Sequence, residues 1–284
     1  MCGFHCRVIE DGDLDAVKAL WKDVFRDTDE YVDSFFSTLY MPGTGIAAVS
    51  GDEIVSHFFS IPGLRLITPA REYAVSYLAA LATSPERRGG GAGAAVAHAT
   101  VQLAFRQDSE LACLMPANEG LYGWYERAIG SKTLFCTRER EFSPDSLPTV
   151  AGPAPRKIGS AEYGELRERL LAGTLHIRFA GRFLDWIAYE FRSGGLFALG
   201  KDICAAVSLE KGFRINELLC PEGDFELAVA ALSAHFGAGG GIVRSPAFWG
   251  SDERGIIRPT VVAATPPGTK LPEPFNAYWG FAFD

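Results

Sequence analysis

Between Pro85 and an alanine-rich run ending near Phe105, the chain reads Arg87, Arg88, Gly89, Gly90, Gly91, Ala92, Gly93, Ala94. Two arginines, four glycines in five positions and then a helical composition describe a place for an anion. Glycine permits a tight turn and close backbone approach, and the helix that follows offers unpaired N–H groups and the positive end of its dipole to a phosphate. The apolar run Tyr73 to Ala82 supplies a strand leading in. A phosphate-bearing cofactor is therefore expected. A Walker A loop would need a lysine followed by serine or threonine at its end, and here Gly93 is followed by two alanines. A dinucleotide fingerprint fits better, since Gly89, Gly91 and Ala94 satisfy G-x-G-x-x-A with Asp108 and Glu110 further on. Those acids, however, precede the next apolar run, whereas a ribose-binding acid belongs after it.

A second segment adds a possible proton donor. After the strand-like Leu111 to Met115 comes Pro116, and then Asn118 to Gly130 in helical order. Asn118 has the chemistry of an N-cap, Leu121, Tyr122 and Tyr125 share one face, and Gly130 ends the helix. A phenol near a departing thiolate can supply a proton, a contribution of roughly 10²–10⁴-fold when the geometry is right.

Taken together, the two segments resemble the GNAT superfamily of acyl-CoA N-acyltransferases. Its Arg/Gln-x-x-Gly-x-Gly/Ala motif is matched by Arg88, Gly91 and Gly93 behind Pro85, and its Asn and Tyr seven positions apart by Asn118 and Tyr125. The resemblance covers about residues 1–142. It implies acetyl-CoA as co-substrate, with the pyrophosphate on backbone amides from Arg88 through Gly89, Gly91, Gly93 and Ala94. It also implies that the pantetheine arm pairs near Leu81 and Thr83, that Asn118 belongs to the cofactor site, and that Tyr125 is the general acid, with Tyr122 in reserve. Backbone N–H groups of Leu78 to Ala82 would polarise the thioester carbonyl. Glu119, Ser76, Tyr77 and His57 lie in or beside segments that face the cleft in this family, and none has the spacing that marks a base; ordered water can do that work. His57, in an alternating strand pattern, reads first as a satisfied, partly buried side chain. The family's helical pair over the acceptor gives Asp27, Asp29, Glu30 and Asp33 a role in holding an ammonium, beside their ordinary one in capping and solvation.

Composition narrows the partners. A net charge of −8 and a pI near 5.2 argue against nucleic acid and anionic membrane and suit a cationic amine. Six cysteines form no C-x-x-C pair and no zinc spacing, so no metal is expected and the thiols read as reduced. Acids soon after Met1 do not resemble a signal peptide, and Gly89 to Phe105 is short for a membrane span. These features suggest a cytoplasmic protein.

Stepwise along the chain, Phe4 to Ile9 reads as a strand and Asp13 to Phe25 as a helix. Asp27 and Glu30 have capping-box spacing before a second helix, and strands follow at Gly45 to Val49, Ile54 to Phe59 and Glu72 to Ala82. A closing pair of strands is expected from Ser131 to Phe142. This is an α/β arrangement with a mixed sheet, in the GNAT order. Four prolines within Ser143 to Arg156 mark a linker over 143–156. Residues 157–284 resemble a degenerate second GNAT-like domain in element order only, as in tandem mycothiol synthase and Eis-type chains. There Gly237, Gly239, Gly240 and Gly241 follow a helix instead of preceding one, so no coenzyme A is expected. That half would cover the acceptor cleft or make a homodimer contact. The aromatic tail (Phe275, Tyr278, Trp279, Phe281, Phe283) should dock on the body, and Asp284 is an outside candidate for the base. The expected activity is acetyl transfer from acetyl-CoA to a primary amine, in a ternary complex. A catalytically silent acyl-CoA sensor is the alternative, and a dinucleotide-binding oxidoreductase the third reading.

Overall fold

A computed structural model describes residues 3–149, 153–249, 255–269 and 277–281. The chain divides into two compact units, one of Met1–Arg65, Glu72–Thr133 and Val262–Leu271, the other of Leu66–Arg71, Leu134–Val261 and Pro272–Asp284.

The first unit begins with β1 (His5–Val8) and a helical hairpin, α1 (Leu14–Phe25) and α2 (Asp29–Thr38). Val17, Leu20 and Trp21 of α1 and Val32 and Phe35 of α2 are buried, the helical spacing that the sequence shows. The outer faces are laced by Lys18–Asp33 at 2.7 Å and Lys22–Asp29 at 2.6 Å. The cap of α2 differs from expectation: Thr28, in extended conformation, accepts from the Tyr31 amide, while Asp27 turns back to accept from the Trp21 indole at 2.7 Å. The buried indole N–H needs an acceptor, and that need removes Asp27 from the cap.

Strands β2 (Gly45–Ser50), β3 (Glu53–Ile67) and β4 (Glu72–Thr83) follow, then α3 (Ala92–Arg106), β5 (Leu111–Leu114) and α4 (Gly120–Ile129). The strand order is β1-β2-β3-β4-β5. β1 and β2 and then β2 and β3 pair antiparallel, while β4 and β5 are parallel and α3 is the crossover that parallel strands require. The core joins Ala48, Phe58, Leu78, Ala92, Val96, Val101, Leu114 and Tyr125.

Residues 132–142 form one strand, β6 (Lys132–Phe142), not a pair. No turn residue interrupts its alternating burial, so nothing folds it back. In the second unit β7 (Pro155–Ile158), α5 (Ser160–Leu170), β8 (His176–Arg178) and α6 (Arg182–Glu190) precede β9 (Gly195–Leu199), β10 (Cys204–Ser208) and β11 (Arg214–Leu219). Then come α7 (Phe225–Phe236), β12 (Gly241–Pro246) and β13 (Ile256–Ala264), the last of which belongs to the first unit from Val262 onward. β7-β9-β10-β11-β12 repeats the order of the first unit, antiparallel except for the parallel β11 and β12 around α7. The strand beyond each parallel pair comes from a distant part of the chain. β5 is flanked by Val262–Ala264 of β13, and β12 by Thr137–Phe142 of β6. Gly237, at φ 61°, ends α7.

Candidate functional site

The glycine-rich loop follows β4. That strand pairs with β5 only from Val75 to Tyr77 and then runs on to Thr83, so its last six residues lie beyond the recorded pairing with β5. Ala80 sits within this stretch at φ 57°, a left-handed conformation that an alanine adopts at a cost of order 1–3 kcal/mol. Nothing in the apolar run Tyr73 to Ala82 announces it.

On its other side the end of β4 is fixed to β3. Ser56 donates to the Ala82 carbonyl at 2.6 Å and lies 2.9 Å from the Thr83 hydroxyl, while the Ser84 amide donates to the Val55 carbonyl. After a turn over Pro85–Arg87, Gly89 (φ 78°) and Gly91 (φ 85°) adopt left-handed conformations, and α3 begins at Ala92 with no acid in its first turn. Gly93 has a different reason to be glycine: a Cβ there would lie 2.9 Å from the Thr83 hydroxyl and 3.9 Å from Cζ2 of Trp124. Gly93 and Ala94 are half-buried in the first turn, where helical N–H groups have no intrahelical acceptor. Arg88 is exposed, its Nε 3.4 Å from the Thr83 carbonyl, whereas Arg87 is tied to Glu53 at 2.9 Å. Leu81 and Thr83, both half-buried, complete a constellation of glycine turn, helix start and strand end.

Tyr125 lies on α4 in the core cluster with Leu78 of β4, Ala92 and Val96 of α3 and Leu114 of β5, its ring edge-on to Trp124 at 4.8 Å. Burial pushes its phenol up to about 12, so it stays protonated across the ordinary pH range. Tyr122 is half-buried one turn earlier. Asn118 is exposed and does not cap α4: the helix begins at Gly120 with Glu119 in the cap position and no side-chain cap, and the Leu121 amide bonds to the Asn118 backbone carbonyl.

Among the candidate bases, Ser76 is buried against Ser109 at 2.8 Å, Tyr77 is buried and Glu119 is exposed. His57 is wholly and not partly buried, with the backbone of Ala80 and Val17 within hydrogen-bonding reach of its ring. Its imidazole is pushed down to about 3 by burial and is therefore neutral. Asp27, Asp29 and Asp33 already hold partners of their own, and Glu30 is exposed. Asp284, Phe275 and Phe283 lie outside the described residues, while Ala277 and Tyr278 of the tail pair with Phe135 and His176. Among the described residues no cluster of His, Cys, Asp and Glu has the makings of a metal site, and no helix is long and apolar enough to cross a membrane.

The corresponding connection in the second unit, from β11 to α7, reads Cys220, Pro221, Glu222, Gly223, Asp224. Two acids where the first unit has two arginines and four glycines make that helix start repel a phosphate.

Residues 5–128 match the family model of the acetyltransferase (GNAT) domain. No curated protein sequence matches the chain significantly. Among solved structures, a probable N-acyltransferase from Enterococcus faecalis is similar over 93% of this chain and 73% of its own, at 16% identity and a TM-score of 0.71. A GCN5-related N-acetyltransferase from Kribbella flavida is 17% identical over 93% of this chain and 72% of its own, with a TM-score of 0.70. Eis1 from Mycobacterium abscessus is 10% identical over 93% and 73%, with a TM-score of 0.65. At such identities the likeness is one of fold. The stretch 5–128 thus matches the acetyltransferase (GNAT) domain, and the likeness to acetyltransferase structures extends over the rest of the chain as one of fold.

Proposed function

We propose that the first unit transfers an acetyl group from acetyl-CoA to a primary amine. The observation that carries this reading is the arginine and glycine loop opening α3 beside a β4 that runs on beyond its pairing with β5. In this reading amides from Arg88 to Ala94 take the pyrophosphate, with Gly89, Gly91 and Gly93 giving it access. Leu81 and Thr83 pair with the pantetheine arm, Asn118 contributes its backbone turn, and N–H groups of Leu78 to Ala82 face the thioester oxygen. The amine nitrogen attacks the carbonyl carbon, the C–S bond breaks, the nitrogen loses a proton and the sulfur gains one. Tyr125, protonated and buried beside β4, supplies hydrogen-bond donation and the proton to sulfur. We place the catalytic domain at 1–142 and a linker at 143–156. We take 157–284 as a GNAT-like domain without a cofactor site, consistent with Glu222 and Asp224 at its helix start. Five described cysteines, all free, suit a cytoplasmic setting.

A silent acyl-CoA sensor is the second reading, favoured by the packing of Tyr125 among core residues. Calorimetry of coenzyme A with Arg88→Glu and Gly93→Val beside the parent tests the shared half-site. Arg88→Glu is expected to weaken binding at least tenfold, since a carboxylate replaces a cation beside the phosphates. Gly93→Val should abolish it, because its Cβ meets Thr83. Parent-like affinity in both would remove the loop from the cofactor site. Thiol release with a panel of amines then separates enzyme from sensor.

A further inference from the structure

Three elements of the first unit meet at one point. Thr83 ends β4, Gly93 lies in the first turn of α3, and Trp124 lies on α4. A Cβ added at Gly93 would stand 2.9 Å from the Thr83 hydroxyl and 3.9 Å from Cζ2 of Trp124, so both side chains border the same bare stretch of helix. The surroundings are apolar and half-open. Leu81 of β4 and Leu121 and Trp124 of α4 pack against the core of the unit from outside, and each keeps part of its surface in solvent. Trp124 lies edge-on to Tyr125 at 4.8 Å, which holds the indole against that core.

At the matching point of the second unit the chain covers its own helix start. Arg140 of β6 lies over the Phe225 ring at 4.7 Å and pairs with Glu226 at 2.6 Å, both of them in the first turn of α7. The first turn of α3 holds no acid, and its neighbour is the half-exposed indole of Trp124. Trp21, Trp186 and Trp279, by contrast, are buried. An indole carries a large apolar face, so one left half in water beside Leu81 and a bare glycine gains free energy when an apolar group covers it.

We propose that Trp124 is the wall along which the cofactor turns from the glycine loop to the end of β4, and that its indole takes the pantoyl group of coenzyme A. The inference rests on the acetyl-transfer reading, which puts the pyrophosphate on the amides from Arg88 to Ala94 and the pantetheine arm along Leu81 and Thr83. A cofactor held at both places crosses the point where Gly93 and Thr83 meet Trp124. The part of coenzyme A next to its pyrophosphate is the pantoyl unit, whose quaternary carbon bears two methyl groups and is the most apolar block of the arm. Against the indole face those methyls leave water, while the backbone amides stay free for the phosphates. An adenine nucleotide offers the loop the same kind of phosphates and ends before it reaches Trp124. The indole thereby gives the site a preference for coenzyme A that the polar loop cannot supply.

The test is calorimetry of coenzyme A and of adenosine 3′,5′-bisphosphate on the full chain, for the parent, Trp124→Ala and Trp124→Phe, with tryptophan emission followed in the same titrations. Binding is the readout and not turnover, because Trp124 also packs on Tyr125. Trp124→Ala should weaken coenzyme A by about tenfold and leave the bisphosphate unchanged, a split that a general loss of structure would not produce. Trp124→Phe, which keeps an apolar ring, should lose less and serves if the alanine variant does not fold. Coenzyme A should shift the emission of the parent, and the shift should vanish in Trp124→Phe, since Trp21, Trp186 and Trp279 are buried and Trp249 belongs to the second unit. An unchanged coenzyme A affinity in both variants, or an equal loss for coenzyme A and the bisphosphate, overturns the contact while leaving the glycine loop as the cofactor site. If the parent binds no coenzyme A, the acetyl-transfer reading falls and this one with it.

Discussion

Tyr125→Phe is expected to lower kcat by roughly 10²-fold or more while coenzyme A binding is unchanged, the range for removal of a well-placed acid. The substitution deletes one oxygen and keeps the ring on Leu78, Ala92, Val96 and Trp124, so the fold has no reason to change. The pKa near 12 sharpens the expectation. A phenol that holds its proton more firmly than an ordinary thiol, at about 8.5, acts chiefly by donating a hydrogen bond as the C–S bond breaks. Its loss should appear in kcat and not in binding. Tyr122→Phe on the same helix should cost much less. Stopped-flow thiol release and calorimetry on the same samples check this, and an undiminished kcat in Tyr125→Phe would make the residue a core ring only.

The largest stability effect is expected at Glu217. Glu217 has no exposed surface and accepts from the Tyr163 hydroxyl at 2.5 Å and from Nε of Arg167 at 3.0 Å. Arg167, also buried, donates onward to the carbonyls of Ile177 and Trp279, and its guanidinium lies over Phe179 and Phe281. The cluster thereby ties the tail residues 277–281 to the body of the second unit. Gly280 turns beside it at φ 101°, where a Cβ would lie 2.6 Å from Oε1 of Glu217. Removing one partner of such a pair leaves the other charge buried, at a cost of about 3–5 kcal/mol. Glu217→Leu should therefore bring the unfolding of the second unit forward by that amount. Glu217→Leu with Arg167→Met should recover much of the loss, because no orphaned charge remains. Urea unfolding followed by circular dichroism reads both, and a shift below about 1 kcal/mol for the single variant would contradict the expectation.

Local chemistry was legible in the sequence wherever one short segment carries it. Gly89 and Gly91 take up left-handed conformations, and α1 begins at Leu14, one residue from the expected Asp13. Periodic burial and glycine conformation are properties of neighbours in the chain, so the chain displays them. Thr28 in place of Asp27 and Glu119 in place of Asn118 at the caps were not legible, because each choice depends on a competing partner or on the backbone of the turn.

By itself the sequence determined a glycine-rich turn ahead of α3, the alternation of strands and helices in both halves, and an acidic net charge. The tertiary structure alone decided that Ala80 is left-handed, that His57 is wholly buried, and that Asp29 and Asp33 are spent on lysines. It also decided that β5 is flanked by Val262–Ala264 and β12 by Thr137–Phe142. The physical reason is common to all four: each depends on which distant backbone or side chain arrives alongside, and periodicity carries no record of arrivals.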